Sequence, residues 1–325
     1  MTFRTKLKHH KHQVSIRYDS KVLFIGSCFS VNIGQRLKYL KYQILQNPTG
    51  ITFNPRSILT TIRACISSES LPENELFFHN GLWKHSNCHG KYNHPDKNVC
   101  YRQISNSLNM AHKYLKEVTH IFITLGTAYV YQDINTGITV NNCHKRPADL
   151  FNKRLLTLEE IESDLNEMQS LISKYAASDD IQFIITVSPV RHIKDGIIEN
   201  QRSKSRLIEA THTMVDKYNN LSYFPAYELL LDDLRDYRFY DRDMVHPSEE
   251  AIDYIYSYFI DAYLHSDDKD LRHKISKLNL SLGHRPQFPD TEQHRMFQAT
   301  LIDQIKALMR AYPFISYNEE ISNLK

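Results

Sequence analysis

Val22-Leu23-Phe24-Ile25-Gly26-Ser27-Cys28-Phe29-Ser30 is the stretch on which the reading of this chain turns. Four apolar residues in a row suit a strand buried on both faces of a parallel sheet. The glycine breaks that strand, and the serine stands where a following helix would start. An α/β sheet presents a nucleophile in this way, at its carboxyl edge, on the sharp turn between a strand and the next helix. Far downstream, Asp243-Met244-Val245-His246-Pro247-Ser248 supplies an aspartate three residues before a histidine. A serine hydroxyl is inert at its free pKa. It becomes nucleophilic when an imidazole takes its proton while a carboxylate orients the imidazole and stabilises its charged form. Together the two motifs predict a triad of Ser27, Asp243 and His246.

Each motif alone has a plainer reading. A Gly-Ser pair after a strand is often a turn and a helix N-cap, because the serine oxygen accepts a bond from an orphan backbone N–H. Asp-x-x-His is common on protein surfaces. Here, however, residues 243–248 lie between an irregular polar stretch and the amphipathic segment 249–264, on a loop entering a helix. Loops at sheet edges are where catalytic residues concentrate.

The rest of the chain alternates strand and helix. Apolar runs at 121–125 and 183–187 match the first strand, with shorter strands expected at 40–45 and 221–224. Leu158, Ile161, Leu165, Met168 and Ile172 recur at helical spacing after the cap candidate Thr157. This alternation predicts a parallel, doubly wound α/β sheet with helices on both faces. Residues 129–140, with Asp133-Ile134-Asn135-Thr136-Gly137 at their centre, predict a hairpin inserted beside the site. Beyond 265 the composition changes: residues 267–270 form a charged break, Pro286 and Pro289 punctuate a loop, and 291–311 predict a helix striped with Met296, Leu301, Ile305 and Leu308. The expected organisation is a basic arm over 1–20, an α/β domain over 21–265 and a helical extension over 266–325. That extension would pack on the core or make a homodimer contact.

Several blocks besides Gly26-Ser27-Cys28-Phe29-Ser30 recur in a known order: Asn47-Pro48-Thr49-Gly50-Ile51, Thr124-Leu125-Gly126-Thr127-Ala128, Asn142-Cys143-His144-Lys145, Val187-Ser188-Pro189-Val190-Arg191-His192 and Leu234-Arg235-Asp236-Tyr237-Arg238-Phe239-Tyr240. Over roughly residues 20 to 265 the chain resembles the GSCFA family, a branch of the SGNH/GDSL-type esterases and acyl hydrolases. The resemblance implies a flavodoxin-like three-layer α/β/α sandwich, with Ser27 as nucleophile and Asp243 and His246 as its partners. SGNH enzymes generally build an oxyanion hole from the nucleophile's own N–H, a glycine N–H and an asparagine two residues after another glycine. Here Gly126-Thr127-Ala128 stands at that strand end, so the asparagine is absent. The donors expected are then the N–H groups of Ser27 and Gly50, with Thr127 or Asn142 as the third. Losing one such donor typically costs about 100- to 1000-fold in rate.

Further candidates line the same edge. Arg191 and His192 follow a strand, and the guanidinium would grip a carboxylate or phosphate in bidentate fashion, with pairing to an Asp or Glu as the plain alternative. The stretch around His85 and His89 resembles a histidine-bearing loop that faces the active site in the family, which implies that His85 or His89 contacts substrate, with a plain polar loop as the alternative. His144 and Lys145 after the hairpin would likewise grip substrate or pair structurally. The run His79, His85, Cys88, His89, His94 and Cys100 lacks the paired spacing of zinc ligands, and no metal or organic cofactor is expected. Cys28 adjoins Ser27 but reads as a small buried thiol. Forty Lys and Arg against thirty-seven Asp and Glu give a formal charge of +3, too balanced to argue for nucleic acid. Five scattered cysteines, no long apolar run and no hydrophobic leader point to a cytoplasmic protein with reduced thiols and no membrane span. The expected activity is O-deacylation of a small ester, such as an O-acetylated carbohydrate, through a covalent acyl-enzyme. Two alternatives are an O-acyltransferase and a silent carbohydrate- or partner-binding protein.

Overall fold

The computed structural model describes residues 4–8, 15–67 and 71–324. Residues 1–3 and 9–14 of the expected basic arm therefore lie outside the description. Within it, Arg4 is no free cation: its guanidinium reaches the buried carboxylate of Asp233 at 2.7 Å.

The central sheet has strands β1 (Lys21–Gly26), β2 (Gln43–Gln46), β3 (His120–Leu125), β4 (Gln182–Val187) and β5 (Leu221–Tyr223). All pair in parallel, in the order β2-β1-β3-β4-β5. This is the flavodoxin order, which reverses between β1 and β3. In such sheets ligands bind outside the carboxyl ends of the two strands flanking the reversal. Register places Gly26, the last residue of β1, beside Thr124 of β3.

Because successive strand residues point to opposite faces, each apolar strand feeds two cores. Leu23, Ile25, Ile121, Ile123, Phe183 and Ile185 pack under α2 (Pro55–Ile66), α3 (Lys97–Leu115), α4 (Leu158–Tyr175) and α5 (Ile197–Lys217). Val22, Phe24, Phe122 and Ile184 face the other way, towards α1 (Cys28–Tyr39) and α6 (Glu249–Tyr263). The three layers of the sandwich follow. On the second face Phe24, Phe122, Phe224 and Phe259 interlock, with Phe24 and Phe122 centroids 4.8 Å apart and Phe122 edge-on to Phe259 at 5.6 Å. Truncating one of these rings to alanine should cost about 3–5 kcal/mol.

The capping chemistry read from the sequence is in place at α4, where Thr157 and Glu160 form a reciprocal capping box. The expected hairpin is present as Tyr129–Asp133 against Thr139–Val140, with a third, unanticipated strand, Phe151–Leu155, on its other edge. The charged break expected at 267–270 is instead the start of α7 (Lys269–Leu282). Asp268 at its N-cap and Asp270 in its first turn complement the positive end of the helix dipole, so a local charge run starts a helix here. In α8 (Glu292–Ala311), Leu301, Ile305 and Leu308 are buried against the α1–α6 layer, whereas Met296 from the same expected stripe is 66% exposed. The extension thus spends most of its apolar face on its own core. No helix among the described residues is long and apolar enough to cross a membrane.

Candidate active site

Ser27 sits where β1 meets α1. Gly26 holds φ at +134°, and a Cβ there would stand 2.2 Å from the Thr124 carbonyl oxygen, so only glycine fits. Ser27 occupies the N-cap position of α1 with φ −70° and ψ 177°, yet its side chain makes no capping bond. Its Oγ is buried and has no hydrogen-bond partner among the described residues. Ser248, at the start of α6, does accept the Ala251 N–H, at 3.3 Å. The simple N-cap reading therefore describes Ser248 and not Ser27.

Asp243 and His246 form a closed unit. Asp243 Oδ2 accepts from His246 Nδ1 at 2.7 Å, while Oδ1 accepts the N–H groups of Val245 at 2.8 Å and His246 at 2.9 Å. The His246 backbone N–H, then its imidazole and the Val245 N–H, hold the Asp243 carboxyl down at about 2. An ionised carboxylate only accepts, which assigns the proton to Nδ1 and leaves Nε2 as an acceptor when the ring is neutral. The loop is pinned to the end of β4: the Arg191 N–H donates to the Val245 carbonyl at 3.1 Å, and its guanidinium to that of Met244 at 3.2 Å. Both side chains of the dyad are about half exposed, at 48% and 49%. No hydrogen bond joins His246 to Ser27.

The turn over residues 47–53 crosses the carboxyl ends of β1 and β3. Thr52 donates its N–H to the Gly26 carbonyl at 3.1 Å, and the Phe53 carbonyl accepts the N–H groups of Gly126 and Thr127 at 2.7 and 2.9 Å. Of the expected oxyanion donors, Ser27 N–H leans on the Thr124 carbonyl at 3.3 Å, and Gly50 N–H is spent on the Asn47 carbonyl at 2.8 Å. Thr127 Oγ accepts from the Tyr129 N–H and pairs with Ser203 Oγ, each at 3.1 Å. Asn142 donates its N–H to the Ser86 carbonyl at 2.9 Å, and its Oδ1 accepts the His144 N–H at 2.8 Å. Its neighbour Asn141 reaches the Ile51 carbonyl at 3.1 Å, which brings this segment back over the same turn.

The predicted histidines divide. His89 packs against the turn, its N–H on the Thr49 carbonyl at 2.8 Å and its Cβ within 2.1 Å of where a side chain on Gly50 would begin. His85 is buried, which pushes its imidazole down to about 4, and its carbonyl contacts His144 Nε2 at 2.9 Å. Both rings are engaged within the inserted loops: His85 Nδ1 accepts the Asn87 N–H at 3.1 Å and its Nε2 lies 3.2 Å from Glu75 Oε2, while His89 Nδ1 accepts the Lys91 N–H at 3.2 Å. His192 is different. Burial, with Lys204 nearby, pushes it down to about 4, and its Nε2 is buried without a partner among the described residues. That atom lies 3.3 Å from the position of a Cβ on Gly126, and its ring stands edge-on to Phe53 with centroids 5.8 Å apart. His192 therefore brings a neutral imidazole to the crevice, within electrostatic reach of His246. Arg191 has no carboxylate partner among the described residues; its guanidinium lies over Tyr240 at 5.3 Å and Tyr237 at 5.9 Å. It borders a cavity of about 250 Å³ shared with Asn200, Gln201 and Tyr237.

Sequence reasoning missed Lys204. This lysine is 1% exposed and donates to the carbonyls of Gly126 at 2.6 Å and Ser188 at 2.7 Å, the residues that directly follow β3 and β4. Burial pushes its ammonium down to about 7. The signal was present: Asn200, Ser203, Lys204 and Leu207 follow the i, i+3, i+4, i+7 spacing of the inner face of α5. Cys28 is half-buried, and burial raises its thiol, which disfavours it as a rival nucleophile. Among the described residues no three His, Cys, Asp or Glu side chains are grouped to hold a metal ion.

The profile of the GSCFA family matches residues 21–259. The chain belongs to the GSCFA family. A second profile, that of the GSCFA domain protein C-terminal domain, matches residues 275–325, which comprise the later part of α7, α8 and the final turns. Among curated proteins, none matches the chain. Ser27, the 47–53 turn, Lys204 and the Asp243–His246 loop all fall inside the first GSCFA match, and the C-terminal match covers helices that pack against the α1–α6 layer.

Proposed function

We propose that this GSCFA protein is a serine esterase or acyl hydrolase of the SGNH/GDSL type, which removes an O-acyl group from an O-acetylated carbohydrate or similar small ester. One observation carries the reading: a serine at the strand-order reversal, whose Oγ neither caps its helix nor bonds any described neighbour, on the edge that also bears an Asp–His dyad. In the reaction Ser27 Oγ attacks the ester carbonyl carbon while His246 Nε2 takes the hydroxyl proton. The tetrahedral intermediate collapses, and His246 returns that proton to the departing alcohol oxygen. Water then attacks the acyl-enzyme by the same steps in reverse, releasing the acid and freeing Ser27. Asp243 holds the imidazole tautomer and stabilises its cation. Serine–histidine hydrogen bonds often close only around substrate, so the open Ser27–His246 geometry fits a resting site. A sugar hydroxyl that captured the acyl group in place of water would make the protein an O-acyltransferase.

A fluorophosphonate probe tests the nucleophile. Labelling of wild type, with none in Ser27→Ala, together with release of p-nitrophenol from p-nitrophenyl acetate, supports the reading. A folded wild type that stays unlabelled between about pH 6 and 9 overturns it.

A further inference from the structure

The asparagine expected two residues after Gly126 is absent, and the Gly50 N–H is already bonded within its own turn. We propose that the Asn47 side-chain amide donates the missing hydrogen bond to the oxyanion formed on Ser27, an inference that rests on the hydrolase reading above. Asn47 follows β2 and sits beside the end of β1. Its Oδ1 accepts the Gly26 N–H at 2.8 Å, and because a backbone N–H can only donate, the orientation of the amide is fixed. Its own N–H is given to the Phe24 carbonyl at 2.9 Å and its carbonyl accepts the Gly50 N–H at 2.8 Å. Every polar group of the residue is thus committed except Nδ2, which is buried and has no partner among the described residues.

Nδ2 shares its carbon with the oxygen that grips the Gly26 N–H, so it is held beside the Ile25–Gly26 peptide, one residue before Ser27. Three buried polar atoms with no partner among the described residues belong to Gly26's neighbour Ser27 and to the two residues bonded to its backbone: Ser27 Oγ, Asn47 Nδ2 and the Oγ of Thr52, whose N–H binds the Gly26 carbonyl. Buried polar groups ordinarily find partners, and such a cluster marks a place where reacting polar atoms arrive. The residue type narrows the role further. Asn47 has φ +43°, which Asp or Gly would also accept, and Asp would bind the Gly26 N–H equally well. Only asparagine adds an N–H donor, and a carboxamide held in a dry, preorganised position is the group that stabilises a developing alkoxide.

Asn47→Asp keeps the acceptor and the backbone conformation while replacing the donor with a negative charge. Expected is a fall in kcat of about 100- to 1000-fold with KM within about twofold, because the contact forms fully only as charge appears on the oxygen. The affinity for a trifluoromethyl ketone, which mimics the tetrahedral intermediate, should fall by a similar factor with little change in Tm. Asn47→Gly, which tolerates the same φ without adding charge, should lose kcat likewise and gives the readout should the Asp variant fail to fold. Near-wild-type kcat and ketone affinity in Asn47→Gly, in a protein whose wild type labels at Ser27, overturns the Asn47 assignment and leaves the hydrolase standing. A wild type that neither labels nor hydrolyses esters overturns both.

Discussion

Replacing Lys204 with methionine should change how the stability of the fold depends on pH. The ammonium is 1% exposed, and its pKa is pushed from 10.5 down to about 7 by burial. Between those two values the unfolded chain holds a proton that the folded chain does not, so this residue makes stability rise with pH across that window. Below pH 7 the folded state carries the whole cost of about 4–5 kcal/mol, taking about 1.4 kcal/mol for each unit of displacement. At pH 9 only about 2 kcal/mol remains, because the folded form is neutral and the unfolded one is about 1.5 units below its own pKa. Lys204→Met removes the titration. It also orphans the carbonyls of Gly126 and Ser188, but that loss is independent of pH and shifts the whole curve without tilting it. Wild type should therefore gain about 2 kcal/mol relative to Lys204→Met between pH 7 and pH 9. Urea unfolding at pH 7, 8 and 9, with equal m values for the two proteins, measures this directly. Parallel stability profiles would show that the lysine titrates normally in the fold and would refute the argument.

Ser27→Ala and His246→Ala should each lower kcat by at least about 1000-fold, with the double variant little worse, since the residues act as a unit; additive losses in steady-state kinetics would break the triad assignment. Gly26→Ala should destabilise by about 3 kcal/mol or more, because a φ of +134° and a Thr124 backbone oxygen 2.2 Å from the new Cβ leave no relaxed conformation; a Tm within 2 °C of wild type would contradict that geometry. Arg191→Ala should lower kcat/KM for esters bearing a carboxylate or phosphate by about 10- to 100-fold and leave neutral esters nearly unchanged, the size of one charge-assisted bond. Equal losses on both substrate classes would assign Arg191 to holding the Met244 carbonyl instead.

The sequence by itself determined the frame. The runs at β1, β3 and β4 were readable because a strand covered on both faces must be apolar at every position, and α4 was readable because its cap and stripe are local in the chain. Ser27 and the Asp243–His246 pair were legible for the same reason, as each motif is short and chemically specific. The start of α7 was obscured because one charge run suits both a loop and a helix N-terminus, and packing of Leu271, Ile275 and Leu278 settles which forms. What only the tertiary structure decided lies where distant segments meet: the strand order that brings Ser27 to the reversal, the burial of Lys204 under two strand ends, and the pairing of Asn47 Oδ1 with Gly26. Hydrogen-bond capacity cannot be read from residue type alone. Gly50 and Asn47 stand three positions apart in one motif, yet the fold uses the N–H of the first within its turn and leaves Nδ2 of the second without a partner among the described residues, at the end of β1. That difference comes from which backbone groups the folded chain places within about 3 Å of each donor, a property of the assembled edge and of no single segment.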